Sequence, residues 1–265
     1  MFSTSRAKSA LLRLTLMGLM FAVGAGHSAP ALAQTVPAAD GDALAKTIVE
    51  KADLVRFPAQ GFEVGVAITT TRPGEPGEVR KYRIMSKGNE NTIVVVTEPA
   101  SDRGQILLMK GRDLWIFLPT VSQPVRLSLS QRLTGQVANG DLARANFSGD
   151  YNAKLLRTEK VDGEPMNVLE LAAVDRGVAY HRVLYWVGQS NFRPHKAEFY
   201  SLSDRLLKTC LYQNYQQMAG RARPTRLVMQ DALRKDEESV LDYSGMQLRD
   251  LPERMFTKDF LKRLE

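Results

Sequence analysis

The chain is short of cysteine, and this shortage excludes one route to stability. Cys210 is the single cysteine among 265 residues, so no internal disulfide can form, even in an oxidising compartment. Stability must therefore come from burial, and the chain is long enough to supply one sizeable core. The apolar sequence Leu-Leu-Lys-Thr-Cys-Leu-Tyr around Cys210 indicates a buried, unreactive thiol and not a nucleophile.

The chain also lacks the motifs of common enzymes. It has three histidines, and neither His181 nor His195 has the spacing of a zinc site such as HExxH. No GxSxG motif, no GxxxxGKS/T motif and no GxGxxG motif after a strand occurs. Asp141, Asp150 and Glu198 could supply the two carboxylates that a glycosidase uses. The sequence predicts no catalysis, no metal and no cofactor, with a hydrolase acting on envelope material as an alternative.

Neither sign of charge dominates the chain. It has 36 Lys and Arg against 29 Asp and Glu, which gives a formal net charge of +7. The cations are spread among the carboxylates, whereas a nucleic-acid binder usually carries a clustered basic stripe. The densest basic group is Arg221, Arg223 and Arg226, which we interpret as a solvated strand edge or turn, with contact to an anionic head group or partner as the alternative. No nucleic-acid partner is predicted.

The first 33 residues have the pattern of a secretory signal peptide. Arg6, Lys8 and Arg13 precede an apolar run over 14–26, which is shorter than the roughly 20 residues that span a bilayer. Small residues then lead to Ala33, after which we predict cleavage. No cysteine lies directly after the apolar run, so no lipid anchor is expected. Cleavage would remove three cations and no acid, which lowers the formal charge from +7 to +4. We therefore expect a soluble periplasmic protein, with an N-terminal membrane anchor as the alternative.

The rest of the chain is predicted to form one domain over 41–265, after a disordered tail over 34–40. Helical spacing predicts a helix over 41–56, and Pro58 ends it. Two-residue alternation and turn residues then predict about eleven or twelve strands. These strands are expected over 62–69, 78–86, 92–97, 105–110, 114–118, 153–161, 166–174, 180–187, 193–201, 206–216, 222–231 and 237–246.

An irregular segment over 119–149 interrupts the strands. It is too long for a hairpin, and long segments of this kind in small domains are often lids or binding loops. We expect short helices within it over 128–137 and 140–146. A further helix is predicted over 252–264, after Pro252.

Three central strands are apolar at consecutive positions. The runs cover 93–96, 106–109 and 114–118, although a strand with one wet face should alternate apolar and polar residues. Both faces of these strands must therefore be shielded from water. Either the protein covers both faces with its own core and helices, or one face lines a cavity that a ligand fills.

Several short motifs together resemble one known family. The segment DLWIFLP over 113–119 is followed by Arg-Leu-Ser over 126–128, by QRLTG over 131–135 and by NGDL over 139–142. In this order they resemble the LolA-like periplasmic proteins that sort outer-membrane lipoproteins. Where that family has an aromatic-rich and Gly-rich stretch, this chain has TGQVANGDLARANF, with Phe147 as the one aromatic residue.

The resemblance implies a fold and a function. The expected fold is mainly β with helices, a half-open antiparallel β-barrel of about 11 strands covered by short helices. The expected function is a monomeric carrier of lipid or lipoprotein acyl chains, with an inner-membrane exporter and an outer-membrane acceptor as partners. A periplasmic sensor or interaction module that binds a protein partner is the alternative.

A carrier needs a dry cavity, because each exposed methylene of a lipid tail costs about 0.8 kcal/mol in water. A few polar groups at the rim would then fix the head group. We predict a cavity wall formed by Val66, Ile68, Val94, Ile106, Leu108, Trp115 and Phe117, a lid carrying Leu133, Leu142 and Phe147, and a rim with Arg126, Arg132 and Arg144.

Overall fold

The computed structural model of the protein describes residues 38–88, 90–121, 123–144, 146–234 and 236–261. The predicted signal peptide and its cleavage site lie outside these residues. The described residues belong to one structural unit. Within it, the α-helices are α1 (Ala38–Arg56), α2 (Asn139–Ala143), α3 (Phe147–Asp150) and α4 (Lys258–Leu261), with 3₁₀ turns at Ala100–Asp102 and Glu253–Met255.

The remaining elements are strands. In chain order they are β1 (Phe62–Thr71), β2 (Glu78–Lys87), β3 (Asn91–Glu98), β4 (Ile106–Lys110), β5 (Asp113–Phe117), β6 (Val125–Leu127), β7 (Arg132–Thr134), β8 (Val137–Ala138), β9 (Tyr151–Val161), β10 (Glu164–Ala173), β11 (Arg182–Gly188), β12 (Pro194–Tyr200), β13 (Leu206–Met218), β14 (Arg221–Asp231) and β15 (Glu238–Leu248).

Thirteen of these strands form one antiparallel sheet in the order β6-β5-β4-β3-β2-β1-β15-β14-β13-β12-β11-β10-β9. Strands that are consecutive in sequence pair as hairpins or meanders, and the sheet is joined into one by the pairing of β1 with β15. The mainly β, antiparallel prediction is therefore confirmed. Its count of about eleven strands is wrong, and the sheet is open, with β6 and β9 as its edges.

The sheet and helix α1 share the main core. Alternate residues of β1 are buried, among them Val66 and Ile68. They join one cluster with residues from both halves of the sheet and with the apolar stripe of α1. Cys210 lies in this cluster, which confirms the predicted burial of its thiol, and burial raises the pKa of the thiol to about 12.

The central strands have a second, outer core on their other face. Ile93 and Val95 of β3 and Ile106 and Leu108 of β4 pack there with Met85, Leu251, Phe256 and Leu261. Their neighbours Val94, Leu107 and Met109 point into the main core instead. Both faces are thus shielded, as the continuous apolar runs require, and the C-terminal segment after β15 covers the outer one.

Helix α1 matches the predicted helix over 41–56 and begins three residues earlier, so residues 38–40 belong to it and not to a tail. Arg223 of β14 is only 4% exposed. Its guanidinium donates to the carbonyl oxygens of Leu54 at 2.8 Å and Val55 at 3.2 Å, which stabilises the C-terminal end of the helix. The interpretation of Arg223 as a solvated strand-edge residue is therefore wrong.

The predicted helix over 128–137 is also wrong, because β7 and β8 form a hairpin there. Its turn uses Gly135, whose φ of +48° is in the left-handed region. A Cβ atom at Gly135 would lie 2.2 Å from Ser239 Oγ and 2.3 Å from Thr70 Oγ1. The hairpin thus presses against β1 and β15. The helix predicted over 140–146 corresponds to α2, and the one over 252–264 to a 3₁₀ turn and α4.

Candidate functional site

Residues 128–144 and 146–150 form a cover on the main core, and we call them the cover segment. It contains β7, β8, α2 and α3. Helix α3 contacts α1 and β9, and α2 contacts β3 and β8. Since α2 and α3 have five and four residues, they are too short to be stable by themselves. Their position depends on contacts with the rest of the protein.

An inner cavity lies beneath the cover segment, between it and the sheet. Its free volume is about 30 Å³, enough for one or two water molecules and far below the roughly 300–1,000 Å³ of ligand pockets. Little free space therefore remains beneath the cover segment. The lining combines charged groups with apolar and aromatic side chains, and the apolar and aromatic members include Leu129, Phe147, Tyr151, Val178, Phe199, Tyr212, Leu227 and Met229.

The first tie between the cover segment and the sheet runs through the end of α1. Asp53 Oδ2 accepts a hydrogen bond from the backbone N–H of Ser148 at 2.8 Å. Its other oxygen pairs with Arg56 Nη1 at 3.4 Å, and the Arg56 guanidinium lies 4.3 Å from the centre of the Phe147 ring. Burial raises the pKa of Asp53 to about 6, although Arg56 and the bond from Ser148 oppose the shift.

The second tie is a buried group of Asp141, Lys208 and Tyr180. Asp141 accepts from the backbone N–H of Ala138 at 2.7 Å, which caps α2, and from the Tyr180 hydroxyl at 2.9 Å. Lys208 Nζ donates to Asp141 at 2.5 Å and to the carbonyl of Gln136 at 2.6 Å. Both charged side chains are 6% exposed. Burial and then Asp141 raise the pKa of Tyr180 well above its ordinary value, so its hydroxyl remains a donor.

The third tie joins the two sides of the open sheet. Arg144, at the end of α2, pairs with Asp150 and donates to the carbonyl of Gly111 at 2.8 Å. Arg112, in the turn between β4 and β5, also donates to Asp150, at 3.1 Å, and pairs with Asp175 beyond β10. These contacts hold the turn beside β5 against the start of β9, near the opposite edge of the sheet.

A second pocket opens beside the β7–β8 hairpin, and we call it the mouth pocket. Its volume is about 290 Å³, close to the lower end of the range for ligand sites. Tyr180 lines both this pocket and the inner cavity. Four cationic side chains line it, from Arg132, Arg205, Lys208 and Arg234, together with the carboxylate of Asp231.

The structure brings together only some of the predicted ligand-binding residues. Val66, Ile68, Val94, Leu142 and Phe147 are buried in the main core, and Leu133 packs against it. Of these, Phe147 lines the inner cavity. The remaining predicted wall residues lie on the opposite face of the sheet, in or against the outer core under the C-terminal segment: Ile106, Leu108, Trp115 and Phe117.

The three predicted rim arginines do not share a rim. Arg126 is 71% exposed on edge strand β6 and pairs with Asp113. Arg132 lines the mouth pocket. Arg144 is buried beneath the cover segment and is held by Asp150. The carboxylates of Asp141 and Asp150, which were considered for hydrolysis, are both held in these buried ion pairs.

Sequence reasoning missed Asp53, Arg56 and Lys208. A signal for each was present. Asp53 and Arg56 continue the buried stripe of α1 that includes Val49 and Ala52, so charged residues there required buried partners. Lys208 lies in phase with the buried Cys210 in β13, so it also points inward.

The part of the chain that the structure describes has neither a membrane-spanning helix nor a group of side chains that could hold a metal ion. No helix among these residues is both long and apolar enough to cross a bilayer. No group of three or more His, Cys, Asp or Glu side chains in the same ranges could hold a metal ion.

Comparison with known proteins identifies the fold. A family model described as "Uncharacterized protein" matches residues 88–263. The comparison with curated proteins gave no match. Among solved structures, a domain assigned as an outer membrane lipoprotein-sorting protein from Vibrio parahaemolyticus has 22% identity and a TM-score of 0.73. The match covers 84% of this chain and 100% of that one. A DUF1329 family protein from Desulfovibrio piger gives the same identity, 22%, and TM-score, 0.73, over 86% and 100% of the two chains.

A third solved structure is much more similar in sequence. It is a LolA superfamily protein from Nitrosomonas europaea, with 62% identity and a TM-score of 0.79. The match covers 82% of this chain and 98% of that one. At this identity and coverage, the chain belongs to the LolA superfamily.

Proposed function

We propose that the protein is a periplasmic carrier, which holds an acyl chain of a lipid or lipoprotein inside its sheet and moves it between membranes. Its membership of the LolA superfamily supports this function. The proposal includes export with removal of residues 1–33, a monomeric carrier, an inner-membrane exporter that loads it and an outer-membrane acceptor. The protein has no catalytic role in it.

The observation that carries the proposal is the way in which the cover segment is attached. It lies over an apolar and aromatic lining, but three polar ties hold it, centred on Asp53, Asp141 and Asp150. Polar ties can exchange partners. The cover segment also packs Leu142 and Phe147 into the main core, and these apolar contacts lose dispersion energy when it opens. A ligand tail that enters beneath the cover segment replaces these contacts, so the segment moves away only as the tail covers the lining.

The energies of ligand burial and cover opening are comparable. A tail of about fifteen methylenes gains roughly 12 kcal/mol on leaving water, at about 0.8 kcal/mol each. Hydrogen bonds to charged groups contribute about 1.5–3 kcal/mol each. Burial of one tail can therefore offset the loss of several ties. Since the closed cavity has only about 30 Å³ of free volume, the tail enters as the cover segment moves.

The position of the tail can be tested with opposite changes at one lining residue. Leu227 is 6% exposed and lines the inner cavity. Leu227→Trp fills the space beneath the cover segment, so we expect at least a tenfold weaker affinity for a fluorescent palmitoyl probe. Leu227→Ala enlarges the space and should bind the probe at least as tightly as the wild type.

The matched control is Leu156→Trp, because Leu156 lies 41% exposed on β9. It should leave probe affinity unchanged. Protein purified from periplasm should also release an amphiphile on solvent extraction, as detected by mass spectrometry. If no amphiphile is released and no palmitoyl probe binds, the carrier proposal is wrong and the alternative, a module that binds a protein partner, is favoured.

A further inference from the structure

We propose that the mouth pocket binds the head group of the carried amphiphile and that this head group bears a phosphate. The inference rests on the proposed function, since the tail of the same molecule would occupy the inner cavity. It assigns the ligand class from charge and geometry: a phosphate-bearing lipid with a single phosphate near its first methylenes.

The cationic side chains of the mouth pocket come from three separate parts of the fold. Arg132 is on β7, Arg205 precedes β13, and Arg234 follows β14. Guanidinium groups match the geometry of phosphate oxygens and bind them with paired hydrogen bonds. Lys208, at the inner end of the pocket, is buried, so a phosphate that reached it would meet a cation shielded from water.

Two of these arginines are available to a ligand. The backbone of Arg205 bonds to Ser201 and that of Arg132 belongs to the β7–β8 hairpin, but neither guanidinium forms a hydrogen bond or ion pair with any residue that the structure describes. Arg234 differs, because it pairs with Glu237 at 2.8 Å. The pocket arginines that are not engaged in an ion pair are therefore Arg132 and Arg205, and both are exposed at the pocket.

The acidic groups around the pocket are already engaged. Asp231 accepts from the backbone N–H groups of Leu233 and Arg234, at 2.8 and 2.9 Å. Burial alone would raise the pKa of Asp231. The two hydrogen bonds and the charges of Arg234 and Arg132 outweigh burial and lower this pKa below its ordinary value. Glu237 is held by Arg234 and by Gln136. Their charges reduce the positive potential of the pocket, yet their oxygens already have donors.

The mouth pocket is adjacent to the place where the tail would lie. Tyr180 lines both cavities, and the pair of Asp141 and Lys208 separates them, since Asp141 lines the inner cavity and Lys208 the mouth pocket. A molecule with its phosphate between the arginines can extend its tail past this pair. Leu233, which lines the pocket and is 75% exposed, offers an apolar contact for the part of the lipid between phosphate and tail.

The test compares two probes with the same tail, palmitoyl lysophosphatidic acid and monopalmitoylglycerol. We expect the wild type to bind the phosphate-bearing probe at least tenfold more tightly, which corresponds to about 1.4 kcal/mol. The double variant Arg132→Gln/Arg205→Gln should reduce this preference below threefold and leave the affinity for monopalmitoylglycerol unchanged. The matched control is Arg176→Gln/Arg254→Gln, which removes two exposed arginines outside the pocket and should keep the tenfold preference.

The outcomes separate the inference from the proposed function. If monopalmitoylglycerol binds but the phosphate gives no preference, or the control variant loses the preference equally, the head-group inference is overturned and the carrier survives. If neither lipid binds, the carrier proposal fails first. Inorganic phosphate is the third probe. We expect it to bind at least a hundredfold more weakly than palmitoyl lysophosphatidic acid, and equal affinity would mean a site for free phosphate and overturn the lipid assignment.

Discussion

At the scale of single residues, Asp53 is a buried carboxyl whose ionisation weakens the protein. Burial raises its pKa to about 6 in the folded state, against about 3.9 in an unfolded chain. Well below pH 4 the group is protonated in both states and costs nothing. As the pH rises from about 4 to above 6, the unfolded state ionises first, so the folded state loses in total roughly 3 kcal/mol of stability.

The loss of stability with rising pH gives a prediction for Asp53→Asn. The asparagine keeps an acceptor oxygen for the Ser148 N–H but cannot ionise. Relative to the wild type, the variant should gain roughly 2 kcal/mol in its free energy of unfolding between pH 4 and pH 7. Urea unfolding at pH 4, 5, 6 and 7 measures the difference. Asp42→Asn, at an exposed position on α1, is the control and should give a constant difference. A constant difference for Asp53→Asn as well would contradict the argument.

Residues also differ in how far the sequence could predict them. The buried Cys210 was predictable from its apolar neighbours. The burial of Asp53 and Arg56 was predictable in part, because they extend the apolar stripe of α1, but their partners Ser148 and Phe147 are more than ninety positions away in the chain. Contacts of this kind depend on the tertiary fold, which local periodicity does not encode.

At the scale of secondary-structure elements, long strands were predictable and very short ones were not. Each predicted strand corresponds to an observed one. Most of them have seven or more residues, enough to display a periodic pattern, whereas β4 and β5 have five residues each and were recognisable as continuous apolar runs between turn residues. Strands β6, β7 and β8 have three, three and two residues, which is too few to show a period. The thirteenth strand of the sheet was therefore missed, and the β7–β8 hairpin was mistaken for a helix.

The continuous apolar strands show a second limit. Their sequence requires two shielded faces, but it does not say which face is inner. The prediction that put Val94 and Trp115 on one wall therefore combined two faces of the sheet, since Trp115 packs under the C-terminal segment with Lys258 4.6 Å from its ring. The assignment needed the pairing register, which sets Leu108 opposite Trp115 and Leu107 opposite Ile116.

The tie between the turn of β4 and β5 and the start of β9 yields a prediction about the cover segment. Arg112→Ala removes the bond to Asp150, the bond to the Gly149 carbonyl at 3.1 Å and the pair with Asp175. Its side chain is 34% exposed, so the expected loss of stability is modest, about 1 kcal/mol. The larger effect should be faster hydrogen exchange at backbone amides over 139–151, measured by mass spectrometry.

The matched control is Arg126→Ala, in which an arginine beside the same strand, β5, loses its pair with Asp113. Arg126 is 71% exposed and does not contact the cover segment through that pair, so its removal should cost less than about 0.5 kcal/mol. Exchange over 139–151 should stay as in the wild type. Equal exchange in both variants would mean that Arg112 does not restrain the cover segment.

At the scale of the whole molecule, the small free volume beneath the cover segment decides how a ligand must bind. A preformed pocket becomes more rigid when a ligand enters, and its amides exchange more slowly. In this protein the free volume beneath the cover segment is about 30 Å³, so a tail can enter only if the cover segment moves away from the sheet. Ligand binding should then raise the stability of the protein as a whole and make the cover segment more mobile.

These two effects are measurable on one sample. At a palmitoyl probe concentration of a hundred times its Kd, mass action predicts a gain of about 2.7 kcal/mol in global stability. Amides of β1, β14 and β15 at the centre of the sheet should exchange more slowly, whereas those of α2 and α3 should exchange faster than in the unliganded protein. Slower exchange in α2 and α3 together with the gain in stability would place the tail elsewhere, because only a site outside the closed interior can be filled without displacing its cover.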